Sequence, residues 1–195
     1  MKIKYHTMEF DRFASSYDSS FMGRGSRRFY ADLIRELDVE DGDAVLDVGC
    51  GTGSVLCYIA DKKQIKGFGI DVSENMVALA RKKNPAFSFV AGDSARLPYA
   101  DGSMDTVMAC MAYHHFPNQA AFRREAWRVL KPGGSLYICD PRFPWLVRAF
   151  FNTFFKDAAF RTVRRNIADF AADGFRLANA TKDFYVQVLC FDKPL

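Results

Sequence analysis

The stretch Val45-Leu46-Asp47-Val48-Gly49-Cys50-Gly51-Thr52-Gly53 decides the fold of this chain. It begins as a short apolar strand and continues through three glycines into a helical pattern that starts near Val55. A glycine has no Cβ, so the backbone can turn sharply there and lie directly against a ligand. The order of strand, glycine turn and helix predicts an α/β fold with a ligand at the carboxyl end of this strand.

Short apolar runs alternate with longer helical patterns from residue 42 onward. This alternation is typical of βαβ units, which build a parallel sheet. A tight turn is predicted at Lys131-Pro132-Gly133-Gly134, before the fifth strand. The pattern predicts strands at Ala44–Val48, Gly67–Ile70, Phe87–Ala91, Thr106–Met111 and Ser135–Cys139, helices at Val55–Lys62, Glu74–Lys83, Asn118–Leu130 and Thr162–Ala172, and a closing hairpin of Phe175–Ala180 and Tyr185–Phe191.

Two segments lie outside this alternation. Residues 1–40 have a helical pattern in which aromatic residues recur at spacings of three and four, which gives one apolar face. These residues are Phe10, Phe13, Tyr17 and Phe21. The second segment, residues 141–160, is too apolar for an ordinary solvated loop, because it contains Phe143, Trp145, Leu146, Val147, Phe150, Phe151, Phe154 and Phe155.

Composition excludes several classes of protein. A chain of 195 residues, 49% of them hydrophobic, is long enough for one well-filled core. The five cysteines form no C-x-x-C pair and have no metal-ligand spacing to the histidines, so we expect reduced thiols and no metal. Neither a signal peptide nor a stretch of membrane-spanning length is present, which predicts a soluble, cytoplasmic protein. The net charge of +4 permits a nucleic-acid partner without arguing for one.

The glycine turn suits several nucleotide cofactors, and two details disfavour a nicotinamide dinucleotide. The spacing is G-x-G-x-G followed by Ser54, whereas the dinucleotide fingerprint has its third glycine one position later. Asp47 lies two residues before the first glycine, close to where a pyrophosphate would bind. Like charges about 4 Å apart cost on the order of 4 kcal/mol at a surface-like dielectric constant. The same carboxylate suits a ligand that carries an ammonium and a sulfonium group.

Two further carboxylates end the neighbouring strands. Asp71 follows the second strand, where it can accept hydrogen bonds from both hydroxyls of an adenosyl ribose. Asp71 therefore does not distinguish a nicotinamide dinucleotide from a ligand that carries an ammonium and a sulfonium group. Asp93 ends the third strand and can accept a hydrogen bond from an adenine amine, although an aspartate in a loop also serves as a cap.

Six motifs occur in a fixed order along the chain: Phe10–Asp18, Val45–Gly53, Gly69–Met76, Gly92-Asp93, Met111–Phe116 and Arg128–Gly134. With this combination the chain resembles the class I S-adenosylmethionine-dependent methyltransferases. Within them it is most similar to the ubiquinone/menaquinone-biosynthesis-like group, also called methyltransferase type 11. The motifs span most of the chain.

The resemblance implies a Rossmann-like three-layer sandwich with a seven-stranded, mostly parallel sheet whose last strand is antiparallel. It further implies a single domain over 1–195, with an N-terminal helical lid at 1–40, a core at 41–195 and a small acceptor-side insertion at 141–160. S-adenosyl-L-methionine would be the cofactor. Together with the carboxylates above, the predicted cofactor-binding residues are Tyr17, Asp47, Gly49, Cys50, Gly51, Asp71, Val72, Met76, Gly92, Asp93, Ser94 and Met111.

Methyl transfer requires alignment of an acceptor with an already activated methyl group, and no protein nucleophile. If the acceptor is a hydroxyl or an acidic carbon, a general base helps, and His114 and His115 are the candidates because they follow the fourth strand. A structural role in shaping the loop is the alternative. The Asn/Asp-Pro-Pro-Tyr/Phe motif of amino-group methylation on bases is absent, and Met111-Ala112-Tyr113-His114 stands there instead. A nucleic-acid acceptor is therefore not expected.

The aromatic segment has four interpretations: a lid over an apolar acceptor, an interfacial helix with Arg142, Arg148 and Lys156 at the lipid headgroups, a dimer contact, or plain core packing. The sequence thus predicts methyl transfer to a small, apolar or aromatic molecule, with peripheral membrane contact permitted and a monomer or homodimer as the assembly. Two alternatives stay open: a nicotinamide-dependent oxidoreductase, and a non-catalytic cofactor-binding partner or regulatory protein.

Overall fold

The computed structural model describes Ala14 and residues 20–154, 159–183 and 185–195. Its strands are β1 (Ala44–Val48), β2 (Lys66–Asp71), β3 (Ser88–Ala91), β4 (Met104–Cys110), β5 (Leu130–Pro141), β6 (Arg176–Lys182) and β7 (Val186–Asp192). Its helices are α1 (Phe21–Glu36), α2 (Ser54–Ala60), α3 (Glu74–Lys83), α4 (Gln119–Val129), α5 (Trp145–Phe154) and α6 (Val163–Ala172), with a 3₁₀ turn at Tyr113–His115. No described helix is long and apolar enough to cross a membrane.

The described strands form one seven-stranded sheet in the order β3-β2-β1-β4-β5-β7-β6. Strands β1 to β5 pair in parallel, and β7 pairs antiparallel with both β5 and β6. The predicted mostly parallel sheet with an antiparallel last strand is therefore confirmed. Chain order reverses between β1 and β4, and the carboxyl ends of these two strands flank a crevice in which open α/β sheets bind ligands.

The sheet is covered on both faces, which makes the molecule a three-layer sandwich. All five residues of β1 are buried, as expected of a parallel strand with helices on either side. On one face the core includes Leu33 of α1, Leu56 of α2 and Val77 of α3. On the other face it includes Phe122 of α4 and Phe170 of α6. Helix α1 therefore packs into the core, and it also lies near the end of the sheet where the crevice is located.

The segment Lys131–Gly134 differs from its prediction. It is a bulge within β5, not a turn that precedes it, because Leu130 already pairs with Met104 and pairing resumes between Ser135 and Thr106. The bulge is held by the Lys131 ammonium, which donates to both oxygens of Asp105 at 2.7 and 2.8 Å. The sequence signal for a turn was real locally, since Gly133 has a φ of +80°.

The aromatic segment also differs from one of its interpretations. Core packing is wrong for α5, in which no residue is buried. Trp145, Leu146 and Phe154 are 68%, 63% and 68% exposed. The lid, interfacial-helix and dimer interpretations differ in the partner that would cover this exposed face.

The cap of α3 gives a test of the fold. The Ser73 side chain is buried and its Oγ accepts a hydrogen bond from the Met76 amide at 3.2 Å. Replacing Ser73 with alanine leaves that amide unpaired, and we expect the free energy of unfolding to fall by about 1 kcal/mol. Urea denaturation measures this change. Ser88→Ala, at an exposed position of β3, is the control, and an equal loss in both variants would contradict the capping role.

Candidate active site

A cleft opens at the carboxyl ends of β1, β2 and β4. It encloses about 1040 Å³ of empty space, including open solvent at its mouth. Among the described side chains of helix α1, that of Tyr30 lines it. The remaining walls are formed by Asp47 to Thr52, Val55, Ile70 to Val72, Met76, Gly92 to Ser94, Cys110 to Ala112, and His115 to Pro117.

The floor of the cleft is the glycine turn after β1. The amides of Gly49 and Cys50 donate to the Ile70 carbonyl at 2.7 and 3.1 Å. The Gly51 amide donates to Asp71 Oδ2 at 2.8 Å. Oδ1 of the same carboxylate accepts from the Ser73 amide at 2.9 Å. Asp71 thus joins the turn after β1 to the start of α3, and it still lines the cleft.

All three glycines of this turn, including Gly53, have left-handed conformations that other residues rarely adopt. Gly49 and Gly51 have φ values of +77° and +51°. A Cβ on Gly49 would lie 2.5 Å from the Cβ of Ala112, whereas one on Gly51 would meet no protein atom within 4 Å. Gly51 therefore leaves an open surface on which a ligand can lie against the backbone. Met111 has a φ of +56° at the end of β4 and also lines the cleft, so backbone strain is concentrated at this site.

Asp47 is the titratable group of the cleft with the most unusual environment. Its side chain is 1% exposed, and Oδ1 has no hydrogen-bond partner in the described part of the chain. Burial, with a smaller contribution from the Asp71 carboxylate, raises the pKa of Asp47 to about 8. An unpaired buried carboxylate oxygen is costly. The arrangement favours a ligand that brings hydrogen-bond donors and positive charge to this point.

The structure brings every described member of the predicted cofactor set to the walls of this cleft. Tyr17 lies outside the described residues. Sequence reasoning missed other wall residues, namely Tyr30, Val48, Thr52, Val55, Ile70, Cys110, Ala112, Phe116 and Pro117. The sequence indicates that Tyr30 lies next to Phe29 on an amphipathic helix. Nothing in that pattern specifies which turn of α1 reaches the cleft.

The two histidine candidates separate in the structure. His115 lines the cleft, and His114 does not. His114 is buried, and its amide and Nδ1 bond to the two oxygens of Asp140, each at 2.9 Å. Its ring stacks on Phe160 with centroids 4.5 Å apart and lies 4.0 Å from the His115 ring. His114 therefore holds the loop in place, and His115 is the one that reaches the ligand space.

Asp140 was also missed from sequence. It lies near the end of β5, at the same edge of the sheet as Asp47 and Asp71, and that shared position is the signal that would have indicated it.

The two cysteines that line the cleft show no sign of reactivity. Cys50 and Cys110 are buried, and burial raises the pKa of both thiols well above the usual value.

Comparison with known proteins agrees with this geometry. A methyltransferase-domain family model matches residues 46–138. The chain is 37% identical over 125 residues to methyltransferase GfsG of Streptomyces halstedii, covering 61% of this chain and 45% of that one. It is 33% identical over 142 residues to the demethylmenaquinone methyltransferase of Chlorobaculum tepidum, covering 69% and 59%. The chain thus spans about half the length of these curated relatives.

A solved structure is similar over nearly the whole chain. It is that of a putative methyltransferase in complex with the Trm112 methyltransferase activator of Haloferax volcanii. The two share 24% identity, 96% of this chain and 98% of that chain are covered, and the TM-score is 0.85. At this identity the likeness concerns the fold.

The sheet order and the glycine-floored cleft define a class I methyltransferase fold. The chain belongs to the S-adenosylmethionine-dependent methyltransferases, in the ubiquinone/menaquinone-biosynthesis-like group, and S-adenosylmethionine is its cofactor. Its residues fit that cofactor, because Asp47 Oδ1 has no hydrogen-bond partner in the described part of the chain and the bare backbone of Gly51 leaves room for a ligand.

The glycine turn gives a paired prediction on stability. Gly51→Ala places a residue with a Cβ at a left-handed φ, which should cost about 1 kcal/mol of unfolding free energy. Gly49→Ala adds a clash with Ala112 and should cost about 1–3 kcal/mol more. Urea denaturation of both variants measures the difference. A loss from Gly49→Ala no larger than that from Gly51→Ala would show that the turn is looser than the structure has it.

Asp47 gives a prediction on pH. In the folded state Asp47 keeps its proton up to about pH 8, whereas in the unfolded state it releases the proton near the ordinary carboxyl pKa of 3.8. Over this window the folded state binds more protons, so this group makes the free energy of unfolding fall as pH rises. Asp47→Asn removes the effect. The stability gain of the variant should therefore grow from pH 5 to pH 8, by up to about 1 kcal/mol per pH unit, in urea denaturation without any adenosyl compound.

Asp105 provides the control for this prediction. Its pKa is lowered overall, because hydrogen bonds from Lys131 and the Ala44 amide outweigh a raising effect of burial. Asp105→Asn should therefore lose stability by a constant amount at every pH above 5. A gain for Asp47→Asn that stays flat with pH would contradict a raised pKa.

Proposed function

We propose that this protein transfers the methyl group of S-adenosylmethionine to a small acceptor of apolar or aromatic character. The observation that carries the proposal is the buried Asp47 side chain, which lines the cleft beside the glycine turn and whose Oδ1 has no partner among the described residues. A cationic amino-acid moiety would supply the missing donors. A pyrophosphate would meet both Asp47 and Asp71, which disfavours a nicotinamide dinucleotide.

Each side of the cleft has residues suited to one part of the cofactor. The ammonium group would bind near Asp47, and the ribose hydroxyls would donate to Asp71 on lone pairs that its two backbone bonds leave over. The adenine would lie between Val72 and Met76. Its edge would meet Asp93 and Ser94, and Asp93 Oδ1 is already fixed by the Ala95 amide at 2.9 Å. Bound there, S-adenosylmethionine would supply a methyl group on a sulfonium sulfur, which leaves as a neutral thioether.

The rest of the wall is where an acceptor would bind. The wall residues that the cofactor contacts do not use include Tyr30, Ala112, His115 and Phe116. This surface is mostly apolar and aromatic, with one titratable imidazole. Its composition favours an acceptor with an apolar ring over a highly charged one. The curated relative from Chlorobaculum tepidum is named for a demethylmenaquinone acceptor, which has this character.

In the transfer, the acceptor atom would form a bond to the methyl carbon as the carbon–sulfur bond breaks. The protein's contribution is to orient the acceptor and to exclude water. The proton of a hydroxyl or acidic-carbon acceptor would pass to the imidazole of His115. His114, fixed by Asp140, would hold the neighbouring ring in place.

Binding of S-adenosylhomocysteine tests the cofactor half of the proposal. Calorimetric titration should give a dissociation constant in the micromolar range or below. Asp47→Asn should weaken binding by roughly tenfold or more, since a hydrogen bond to a charged group contributes about 1.5–3 kcal/mol. Asp61→Asn, at an exposed position, should have no effect. Binding of reduced nicotinamide dinucleotide that S-adenosylhomocysteine does not displace would reverse the assignment.

Turnover tests the acceptor half. Formation of S-adenosylhomocysteine is followed with a panel of quinols, phenols and small carboxylic acids. With the best acceptor, His115→Ala should lower kcat by about 10²-fold or more without changing S-adenosylhomocysteine affinity, and should remove the acid limb of the pH–rate profile. Cofactor binding with no turnover on any acceptor would favour the non-catalytic alternative. An unchanged kcat in His115→Ala would show that His115 is not the general base.

A further inference from the structure

Helix α5 presents an apolar face to solvent that no described part of the chain covers. Trp145, Leu146, Phe150 and Phe154 are each more than half exposed. At 100° per residue, Leu146, Val147, Phe150 and Phe154 fall within one arc of about 100°, and Trp145 is exposed at the first residue of the helix. Together they form an apolar patch on the order of a few hundred Å², the size at which such patches mark interaction sites.

The opposite side of α5 is fixed to the body of the protein. The side-chain amide of Asn152 donates to the Phe160 carbonyl and accepts from the Phe160 amide, each at 2.9 Å. Phe151 stacks on Phe143 with centroids 4.9 Å apart, and both pack against Phe160. The helix is therefore held by its inner face, and its outward orientation is a property of the fold.

The charges of this segment are mostly basic. From residue 141 to residue 160 the sequence contains Arg142, Arg148 and Lys156 against one acidic residue, Asp157. The Arg142 guanidinium donates to the Asp183 carbonyl and stays exposed. Basic residues beside a face of Trp, Phe and Leu are the composition of helices that lie in the headgroup region of a membrane.

A second copy of the chain is a poorer occupant. A two-fold contact through α5 would bring the same cations of both copies together, and residues 141–160 contain three cations against the single carboxylate of Asp157. An anionic lipid surface accepts both the apolar side chains and the flanking cations.

We propose that the exposed face of α5 docks the protein on a lipid bilayer that carries anionic headgroups. The face is linked to the cleft through Phe160, which stacks on His114, the neighbour of His115. Docking there would place the acceptor end of the cleft near the bilayer. The proposal concerns this surface alone and does not depend on the identity of the acceptor.

Vesicle binding tests the proposal. The sequence has two tryptophans, so Trp127→Phe leaves Trp145 as the only one. Vesicles of equal parts phosphatidylglycerol and phosphatidylcholine should shift its emission to the blue and carry the protein through a flotation gradient. Leu146→Ser/Phe150→Ser should weaken partitioning by roughly tenfold or more. Arg142→Gln, at an exposed position, should weaken it by about fivefold, and added salt should weaken it further.

The control is Tyr58→Ser/Leu177→Ser, which removes two side chains that are 42% and 39% exposed elsewhere on the surface and should leave partitioning unchanged. All variants must keep the wild-type circular dichroism and denaturation midpoint. Failure to bind vesicles would overturn the proposal, as would equal binding to pure phosphatidylcholine. A dimer in light scattering that the α5 variant dissociates, without vesicle binding, would assign the face to a second copy. Titration with S-adenosylhomocysteine separates any of these results from a failure of the proposed function.

Discussion

The hydrogen bonds between the glycine turn and the end of β2 are the constraint on which the site depends. The Gly49 and Cys50 amides share the Ile70 carbonyl, and the Gly51 amide is held by Asp71. These bonds require the left-handed backbone that Gly49 and Gly51 provide. They fix the distance between the ends of β1 and β2, and so they set the width of the cleft floor before any ligand contact is considered.

The same floor holds two carboxyl groups, those of Asp47 and Asp71. Burial, with a smaller contribution from the Asp71 charge, keeps Asp47 protonated, and a cationic ligand would favour its ionised form. Burying a carboxylate without a partner lowers stability. The site therefore trades stability for a cleft that recognises positive charge, which is the property that distinguishes an adenosyl-amino-acid ligand from a dinucleotide.

The two ends of the cleft are built differently. The cofactor end consists of strand ends and backbone groups held by the sheet. The acceptor end consists of side chains on the turn after β4, whose His114 is anchored by Asp140 and packed on Phe160. Phe160 in turn holds α5. A change in the aromatic segment can therefore alter the acceptor end while the cofactor end stays as it is.

The sequence by itself determined the order of the elements, the sheet and the cofactor, because these depend on local patterns: period-two and period-3.6 hydrophobicity, glycines at fixed spacing, and carboxylates directly after strands. At the predicted starts of α3 and α4, Ser73 and Asn118 accept the backbone hydrogen bonds of helix caps. Lys131–Gly134 was misplaced because a bulge and a turn share the same glycines, and only the pairing partner of Leu130 separates them.

Only the tertiary structure decided what depends on distant residues meeting. It separated His115 from His114, because Asp140 and Phe160 come from other elements. It brought Tyr30 to the cleft and left the face of α5 in solvent. The physical reason is that burial and charge pairing are sums over neighbours remote in sequence, whereas the glycine turn can be recognised from its own nine residues, Val45–Gly53.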